Sequence, residues 1–436
     1  MVSILLVRTG QKSFLNFGFN YHKSKNFDYI LNAAGSLNGS SQNKQSYIKG
    51  ILGDENNGGF YVGKNKDGQN IGYVNATSSN VAYTWSQIDN LYWNSLIPSS
   101  AGVFNYEKAT GYTLDRAHTG YIGNYDFAVS GNLNDRVYLG LTFGMKDVNY
   151  KGYSEYRENL NNAGGILVRD ERKVTGSGFD ITAGVIVRPV AESPFRIGAY
   201  VKSPTRYDLT LLTGLVYAQG TKNKESYISN SYDFKMWTPW KFGFSLGHTI
   251  GNNIALGATY EYENYANINS RVNNGGYYDY YYDQYYESSI PDKNMNAHTK
   301  EVLKGVSTLK LGIEYKPVSN VALRMGYNYV GAKYASDRQK DPGLASLGTA
   351  YSSTTDYTNW GEINRFTLGV GYQVKKFNID LAYQYSAQKG SFAPFSNVKD
   401  ITYTSGTTKI TESNIASNTD VKNNRSQLLL TLGYRF

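Results

Sequence analysis

Apolar and polar residues alternate along the end of the chain, Gln427-Leu-Leu-Leu-Thr-Leu-Gly-Tyr-Arg-Phe436. In an extended strand Leu428, Leu430, Leu432, Tyr434 and Phe436 share one face, and Leu429, Thr431, Gly433 and Arg435 share the other. The same period recurs from Ser13 onward. Leu15, Phe17, Phe19 and Tyr21 alternate with Asn16, Gly18, Asn20 and His22. Val137, Leu139, Leu141, Phe143 and Met145 alternate with Tyr138, Gly140, Thr142, Gly144 and Lys146. Further apolar faces begin at Tyr121, Phe179, Phe195, Trp240, Ile254, Leu309, Val321, Phe366 and Phe377, each bounded by turn residues. The opposite faces carry charges, among them Asp180, Lys241, Glu261, Lys310, Glu314, Arg324, Arg365 and Asp380. So many apolar faces need a cover, and the sequence supplies almost no helix to provide it. Lipid provides it, and closing the sheet satisfies the strand edges.

Connection lengths sharpen this reading. Short connections fall at Asn132–Asp135, Pro189–Pro194, Gly251–Asn253, Pro317–Asn320 and Lys375–Lys376. Long ones fall at Lys23–Arg116, Lys151–Asp170, Gln219–Asn230, Asn267–Thr299, Ser336–Gly361 and Gly390–Asp420. Strict alternation of short and long is the pattern of an outer-membrane barrel with short periplasmic turns and long outer loops. The fold class is therefore all-β: one transmembrane antiparallel β-barrel over 1–436. Twelve strands are expected from Ser13 on, with Arg196 to Ala218 as one strand kinked at Ser203-Pro204. Val2–Arg8 reads as the tail of a thirteenth. An even count is the rule, and the chain shows no n-region, h-region and cleavage site, so it is expected to start late, one strand short of fourteen.

Composition changes the picture only in part. A mean hydropathy of −0.48 suits a barrel, in which alternate residues touch lipid, and no stretch reaches the ~18 apolar residues of a membrane helix. The 41 Tyr suit interfacial girdles and a wet aromatic lumen. With no Cys there is no disulfide framework and no thiolate metal site. The net charge of +9 is scattered rather than clustered, which excludes nucleic acid and leaves outer-membrane lipid and anionic lipopolysaccharide as partners. His22, His118, His248 and His298 form no metal-binding spacing, and no motif selects a nucleophile with its base. Neither a cofactor nor an enzymatic activity is expected, and the chain is expected to be a monomer.

Several segments resemble the FadL family of outer-membrane transporters for hydrophobic molecules, in its Bacteroides-like form. They are Lys12-Ser-Phe-Leu-Asn-Phe-Gly-Phe-Asn-Tyr21, Ser130-Gly-Asn-Leu-Asn-Asp-Arg-Val-Tyr-Leu-Gly140, Trp237-Thr-Pro-Trp-Lys-Phe242, Ile254 to Asn264, and Glu314-Tyr-Lys-Pro-Val-Ser-Asn-Val-Ala-Leu-Arg-Met-Gly-Tyr-Asn-Tyr329. The resemblance covers most of Ser13 to Phe436. It implies fourteen strands and an N-terminal hatch with an Asn-Pro-Ala turn, neither of which this sequence completes. It also implies passive uptake of a hydrophobic compound such as a long-chain fatty acid, through an apolar groove among the outer loops and a lumenal pocket. The C-terminal Leu432, Tyr434 and Phe436 resemble the signal read by barrel-assembly machinery.

Candidate sites follow. Within the long extracellular connection 23–116, Val81, Trp85, Ile88 and Tyr92, with Leu91 and Trp93 nearby, have helical spacing after Ser79 or Asn80 and before Pro98. This stripe is either a ligand-binding groove or a loop packed on itself. Lys310, Glu314, Arg324 and Arg365 face the lumen, where they either meet a ligand carboxylate or pair with one another. Gly276-Tyr-Tyr-Asp-Tyr-Tyr-Tyr-Asp-Gln-Tyr-Tyr-Glu287 is an aromatic–acidic surface run. Asp279, Asp283 and Glu287 in it do not have calcium-loop spacing. The alternatives to hydrophobic-compound uptake are a general porin, or a surface adhesin acting through its long loops.

Overall fold

The computed structural model describes residues 2–6, 13–52, 60–64, 70–74, 86–95, 106–161, 164–219, 224–335, 337–341, 344–405 and 407–434. β1 (Val2–Leu6), β2 (Phe14–Asn26) and β3 (Tyr29–Ser36) open the wall. α1 (Gln42–Leu52), β4 (Phe60–Lys64), β5 (Asn70–Val74) and α2 (Gln87–Ser95) lie in the connection that follows. The longest strands are β6 (Ala109–Leu133), β7 (Val137–Leu160) and β8 (Gly164–Val187). β9 (Arg196–Lys202) and β10 (Arg206–Gln219) are one strand interrupted around Pro204. There, where Pro204 has no N–H to donate, Thr205 O accepts from Thr238 N (3.0 Å) and Thr205 N donates to Thr238 Oγ1 (2.8 Å). β11 (Lys224–Trp237) and β12 (Lys241–Ile250) are likewise one interrupted strand.

β13 (Ile254–Asn264) leads through a short turn to β14 (Asn269–Asp279), which makes a hairpin with β15 (Gln284–Pro291). α3 (Lys293–Val302) returns the chain to β16 (Gly305–Val318). Then come β17 (Val321–Val330), α4 (Leu347–Ala350), β18 (Tyr357–Val374) and β19 (Phe377–Ala393). The small hairpin β20 (Val398–Ser405)–β21 (Thr408–Asn414) precedes the last strand, β22 (Thr419–Tyr434). Ladders join sequence neighbours antiparallel around the wall. With interrupted strands joined, the wall spans among the described residues are β1, β2/β3, β6, β7, β8, β9/β10, β11/β12, β13/β14, β15/β16, β17, β18, β19 and β22, which makes thirteen. This all-β barrel has no described helix long and apolar enough to cross a membrane. Its short turns are tight: Asn134, Asp135, Gly251 and Lys375 adopt positive φ.

A strand needs about 9–11 residues to cross a bilayer, yet β6 has 25 and β7 and β8 have 24 each. The excess is a second storey, and the hydrophobic parity inverts where it starts. Low on β7, Leu139, Leu141, Phe143 and Met145 point outward and are exposed. Higher on the same strand, Val148, Tyr156 and Leu160 point inward and are buried, while Lys151, Glu155 and Arg157 point out. On β6, Tyr112 and Leu114 are buried inward, whereas lower down Tyr125 and Phe127 are exposed outward. Below, the outward face meets lipid; above, it meets water and the inward face meets packed protein.

This inversion moves the expected boundaries. The connection expected over Lys151–Asp170 is strand on both sides of a turn at Asn161. The one expected over 23–116 runs over 37–108, because β3 ends at Ser36 and β6 begins at Ala109. The wet extensions lack the outward apolar face by which the membrane strands were recognised.

β1 and β22 run in the same sense, both toward the short-turn end, so an antiparallel ladder between them is impossible. The margins meet at the outer end instead. There Tyr112 Oη lies 2.7 Å from Thr419 Oγ1, which donates to Ala34 O at 3.4 Å, and Ser40 Oγ accepts from Ile415 N at 3.1 Å.

Candidate lumenal site

The outer storey of the lumen is filled. α1 and α2 fold into it from the long connection, together with the chain around Phe392–Ser396 and Ser353–Asp356. Tyr92, Phe392, Phe395 and Leu215 are fully buried in one cluster with Leu37, Ile88 and Leu91. α2 starts with a reciprocal cap: Ser86 N donates to Asp89 Oδ2 (3.1 Å), and Asp89 N donates to Ser86 Oγ (3.4 Å). Asp89 also accepts from Ser46 Oγ of α1 (2.7 Å) and from Lys49. α1 is capped by Ser41, whose Oγ accepts from Lys44 N at 2.8 Å. Its buried face is polar: Gln42 Nε2 donates to Pro394 O (3.0 Å), Gln42 N donates to Glu158 Oε1 (2.8 Å), and Tyr92 Oη donates to Gln42 Oε1. A helix buried through hydrogen bonds shows no apolar stripe, and α1 has no signature in the hydrophobic pattern.

One arm locks this cap to the wall, and a second ties the cap to itself. Arg116 on β6 grips Asp356 with both guanidinium nitrogens at 2.7 and 2.8 Å. Burial alone would raise the Asp356 carboxyl, but the Arg116 guanidinium outweighs it and holds the group below the usual carboxylate range. Lys340 donates to Thr354 O (2.6 Å) and Ser352 Oγ (3.1 Å). Burial pushes its ammonium down to about 8, against partial support from Asp356. Beside Lys340 lies a cavity of about 160 Å³, lined also by Gln45, Ile88, Asp89, Met295 and His298 among others. That is the size class of a site for a single small aromatic molecule.

The lower storey is hollow. Along β16, residues of both faces from Leu309 to Ile313 are exposed. The inward residues Gly247, Gly257, Gly312 and Gly326 stand directly opposite one another on four successive strands. A Cβ on Gly257 or Gly312 would meet nothing within 4 Å. This bare strip borders a space of about 480 Å³ that also reaches Glu314, Arg324 and Asp380. A depression of about 690 Å³ is framed by Leu246, Leu256, Leu311, Met325 and Phe366. These side chains point outward in the lipid belt, so it is a lipid-facing groove.

The expected site residues sort between the two storeys. Ile88, Leu91 and Tyr92 are buried in the cap core, and Ile88 also lines its cavity. Val81 and Trp85 lie outside the described residues, as do the expected caps Ser79 and Asn80 and the side chain of Trp93. Lys310 pairs with Glu261 (2.6 Å), and Glu314 pairs with Arg324 (2.6 Å), which also holds Asp380. Arg365 faces inward between Asn328 and Ser386 on the neighbouring strands. Leu432 and Tyr434 face lipid, with Tyr434 against Phe377 at 4.7 Å between ring centroids; Phe436 lies outside the described residues. The Arg116–Asp356 arm escaped the sequence reading, because 240 residues separate the partners and neither sits in a motif.

No family model and no curated protein matches the chain. Solved structures similar to it include a Pseudomonas aeruginosa FadL homologue, 13% identical over 97% of this chain and 90% of that one, with a TM-score of 0.44. The toluene transporter TbuX of Ralstonia pickettii is 13% identical over 98% of this chain and 90% of that one, with a TM-score of 0.41. The toluene transporter TodX of Pseudomonas putida is 10% identical over 98% and 90%, also at 0.41. The first of these is a homologue of FadL, whose family the sequence segments resemble.

Proposed function

We propose that this chain is an outer-membrane channel for the passive uptake of hydrophobic compounds, long-chain fatty acids among them. One observation carries the reading against a general porin. Among the described residues the outer storey is packed with fully buried Tyr92, Leu215, Phe392 and Phe395, which stand where a wide water column would have to pass into the hollow lower lumen. Sugars and ions need such a column; an apolar solute can partition into a yielding apolar cap. Its transfer is favoured by roughly 25 cal/mol for each Å² of apolar surface removed from water. The outer-membrane location is supported by the exposed apolar belt and the short-turn end.

The test is reconstitution of the full chain in liposomes. Labelled oleate and toluene should enter faster than into protein-free vesicles, and arabinose should cause no osmotic swelling. Swelling without hydrophobic uptake would establish the porin instead. The reading involves no bond-breaking step, so a fluorophosphonate probe should leave the chain unlabelled.

One observation favours a second reading, surface contact. Beyond Val272, where its ladder with β11 ends, the β14–β15 ribbon is exposed on both faces, and Tyr280 and Tyr281 at its tip are 89% and 86% exposed. Deletion of residues 276–287 should leave uptake unchanged and abolish adhesion if that reading holds.

A further inference from the structure

Three lysine pairs stand directly opposite one another on neighbouring strands of the described wall: Lys202 with Lys241, Lys151 with Lys173, and Lys389 with Lys422. Direct opposition brings the two backbones to about 5 Å, and like charges so placed repel. The first pair points inward, and carboxylates neutralise it: Lys202 meets Asp180 at 2.9 Å, and Lys241 meets Glu263 at 3.5 Å. The other two pairs point outward and are exposed. Among the described residues, neither has an ion-pair partner. Glu171 and Asp420 stand one row farther from the membrane, opposite Tyr153 and Ser391, and form no ion pair with these lysines. Each outward pair therefore keeps a net positive charge.

Both outward pairs stand at a similar height above the lipid belt. Lys151, Lys173 and Lys422 each lie six positions beyond the outermost large apolar residue of the belt on their strand, Met145, Phe179 and Leu428. Six residues of a strand tilted by about 35–45° rise about 15 Å. A phospholipid head group reaches only about 5–8 Å beyond the hydrocarbon. The lysines therefore sit where a phospholipid has ended and the sugars of a glycolipid continue. Beside Lys151 and Lys173 a depression of about 490 Å³ opens on the outer wall, with Tyr153, Leu212 and Tyr227 in its lining. Tyrosine suits such a boundary, with an apolar ring and a hydroxyl that meets polar groups.

We propose that Lys151 with Lys173, and Lys389 with Lys422, are two docking points for phosphate groups on the saccharide head of lipopolysaccharide in the outer leaflet. Two ammonium groups on adjacent strands can close on one phosphate from both sides, each with three donors to offer. The bound phosphate supplies the negative charge that Asp180 and Glu263 supply to the inward pair. The lipid belt continues below both points, so acyl chains of the same molecule can lie against Met145, Phe179 and Leu428. The inference rests on the outer-membrane location in the reading above and not on what passes through the lumen.

The experiment titrates the full chain in dodecyl maltoside with four probes: rough lipopolysaccharide, the same material dephosphorylated, phosphatidylglycerol and inorganic phosphate. Wild type is expected to bind the phosphorylated glycolipid at least about tenfold more tightly than the dephosphorylated one. Lys151→Gln with Lys173→Gln, and Lys389→Gln with Lys422→Gln, should each halve the number of glycolipids bound. The quadruple variant should lose the preference for phosphate, and the quadruple Lys→Arg variant should keep it. Lys375→Gln with Lys376→Gln removes the same charge at the short-turn end and should bind as wild type does. Equal binding of the two glycolipids to wild type overturns the proposal, as does a control variant that loses as much binding as the outward pairs. Phosphatidylglycerol or inorganic phosphate bound as tightly as lipopolysaccharide also overturns it, in favour of an unselective anion site. Thermal melting without any probe supplies an independent readout: each outward double variant should melt no lower than wild type, because it removes a repulsion. A lower melting temperature would mean that a protein carboxylate already neutralises the pair. Insertion of wild type into lipid vesicles is scored separately, so a failure of the membrane location is not mistaken for a failure of these sites.

Discussion

The outer and lower storeys share the same strands and use them in opposite ways. In the outer storey the inward face of β6 and β7 is buried against α1, α2 and the Phe392–Ser396 segment, and the outward face carries polar residues. In the lower storey the outward face is apolar and the inward face of β16 and β17 opens on a hollow space. The outer half is held as a soluble protein is, by a filled core. The lower half is held as a membrane barrel is, by ladders and a lipid cover. The cap is therefore expected to loosen before the wall comes apart.

The sharpest break in this comparison is at the cap's arm. Arg116→Met leaves Asp356 buried without its partner, and losing half of a buried pair costs about 3–5 kcal/mol. The cap should unfold first: the outer connections become protease-sensitive at a temperature where the wall remains sodium dodecyl sulfate-resistant. Planar bilayers should then show ion conductance that wild type lacks. If wall and cap of the variant melt together, the two storeys are one cooperative unit.

A break aimed at the belt acts on the other half. Leu141→Arg places a charge on the outward face of β7, expected to cost about 2–4 kcal/mol if the position lies at mid-bilayer. The folded fraction in lipid vesicles should fall, while protease resistance of the cap in detergent stays as in wild type. An unchanged folded fraction in lipid would remove Leu141 from the bilayer.

Two glycines sharpen the contrast further. Gly120 marks the storey boundary on β6 at φ +113°, and a Cβ there would lie 2.0 Å from Asn149 O. Gly120→Ala should therefore cost about 1–3 kcal/mol in strain. Gly312 faces open lumen, so Gly312→Ala should be neutral or slightly stabilising, by less than about 1 kcal/mol. Melting curves of the two variants in one detergent decide the matter; equal losses would mean the lower lumen is not hollow.

How much of this was legible in sequence follows from the same division. The lower storey was readable, because lipid imposes one rule on every strand: Leu139 to Met145 and Leu428 to Tyr434 show it plainly. The tight turns at Asn132–Asp135 and Lys375–Lys376 were readable too, since short connections have few solutions. The outer storey was not. Tyr112, Leu114 and Tyr156 alternate with the opposite hydrophobic parity, and a strand that changes parity midway reads as a strand that ends. The α2 stripe was recognised at Ile88, Leu91 and Tyr92, and the structure places those side chains in the cap core. The helix α1, buried by Gln42, Ser46 and Lys49, carried no hydrophobic signal at all. Pairing partners such as Arg116 and Asp356 meet only once the wall has curled around the cap.

The smallest expected effect is a dependence on pH, and its sign separates cap from wall. Lys340 belongs to the cap, and its ammonium loses a proton near pH 8 when folded against 10.5 when exposed. Below about pH 8 the folded protein carries the full penalty of a buried charge. Between 8 and 10.5 the unfolded state binds more protons than the folded state, so stability rises with pH across that window. Tyr106, pushed up to about 12 by burial and the charge of Glu412, works in the opposite sense from pH 10 upward, so the comparison belongs between 8 and 10. Lys340→Met removes the titration along with the hydrogen bonds to Ser352 and Thr354, and the lost bonds add a nearly constant offset. The cap melting temperature of the variant minus that of wild type should therefore be most positive at pH 7.5 and decline by pH 10. Wall melting should not distinguish the two proteins at any of these values. A cap difference independent of pH would mean that Lys340 is solvated, and that the cavity beside it is open to water.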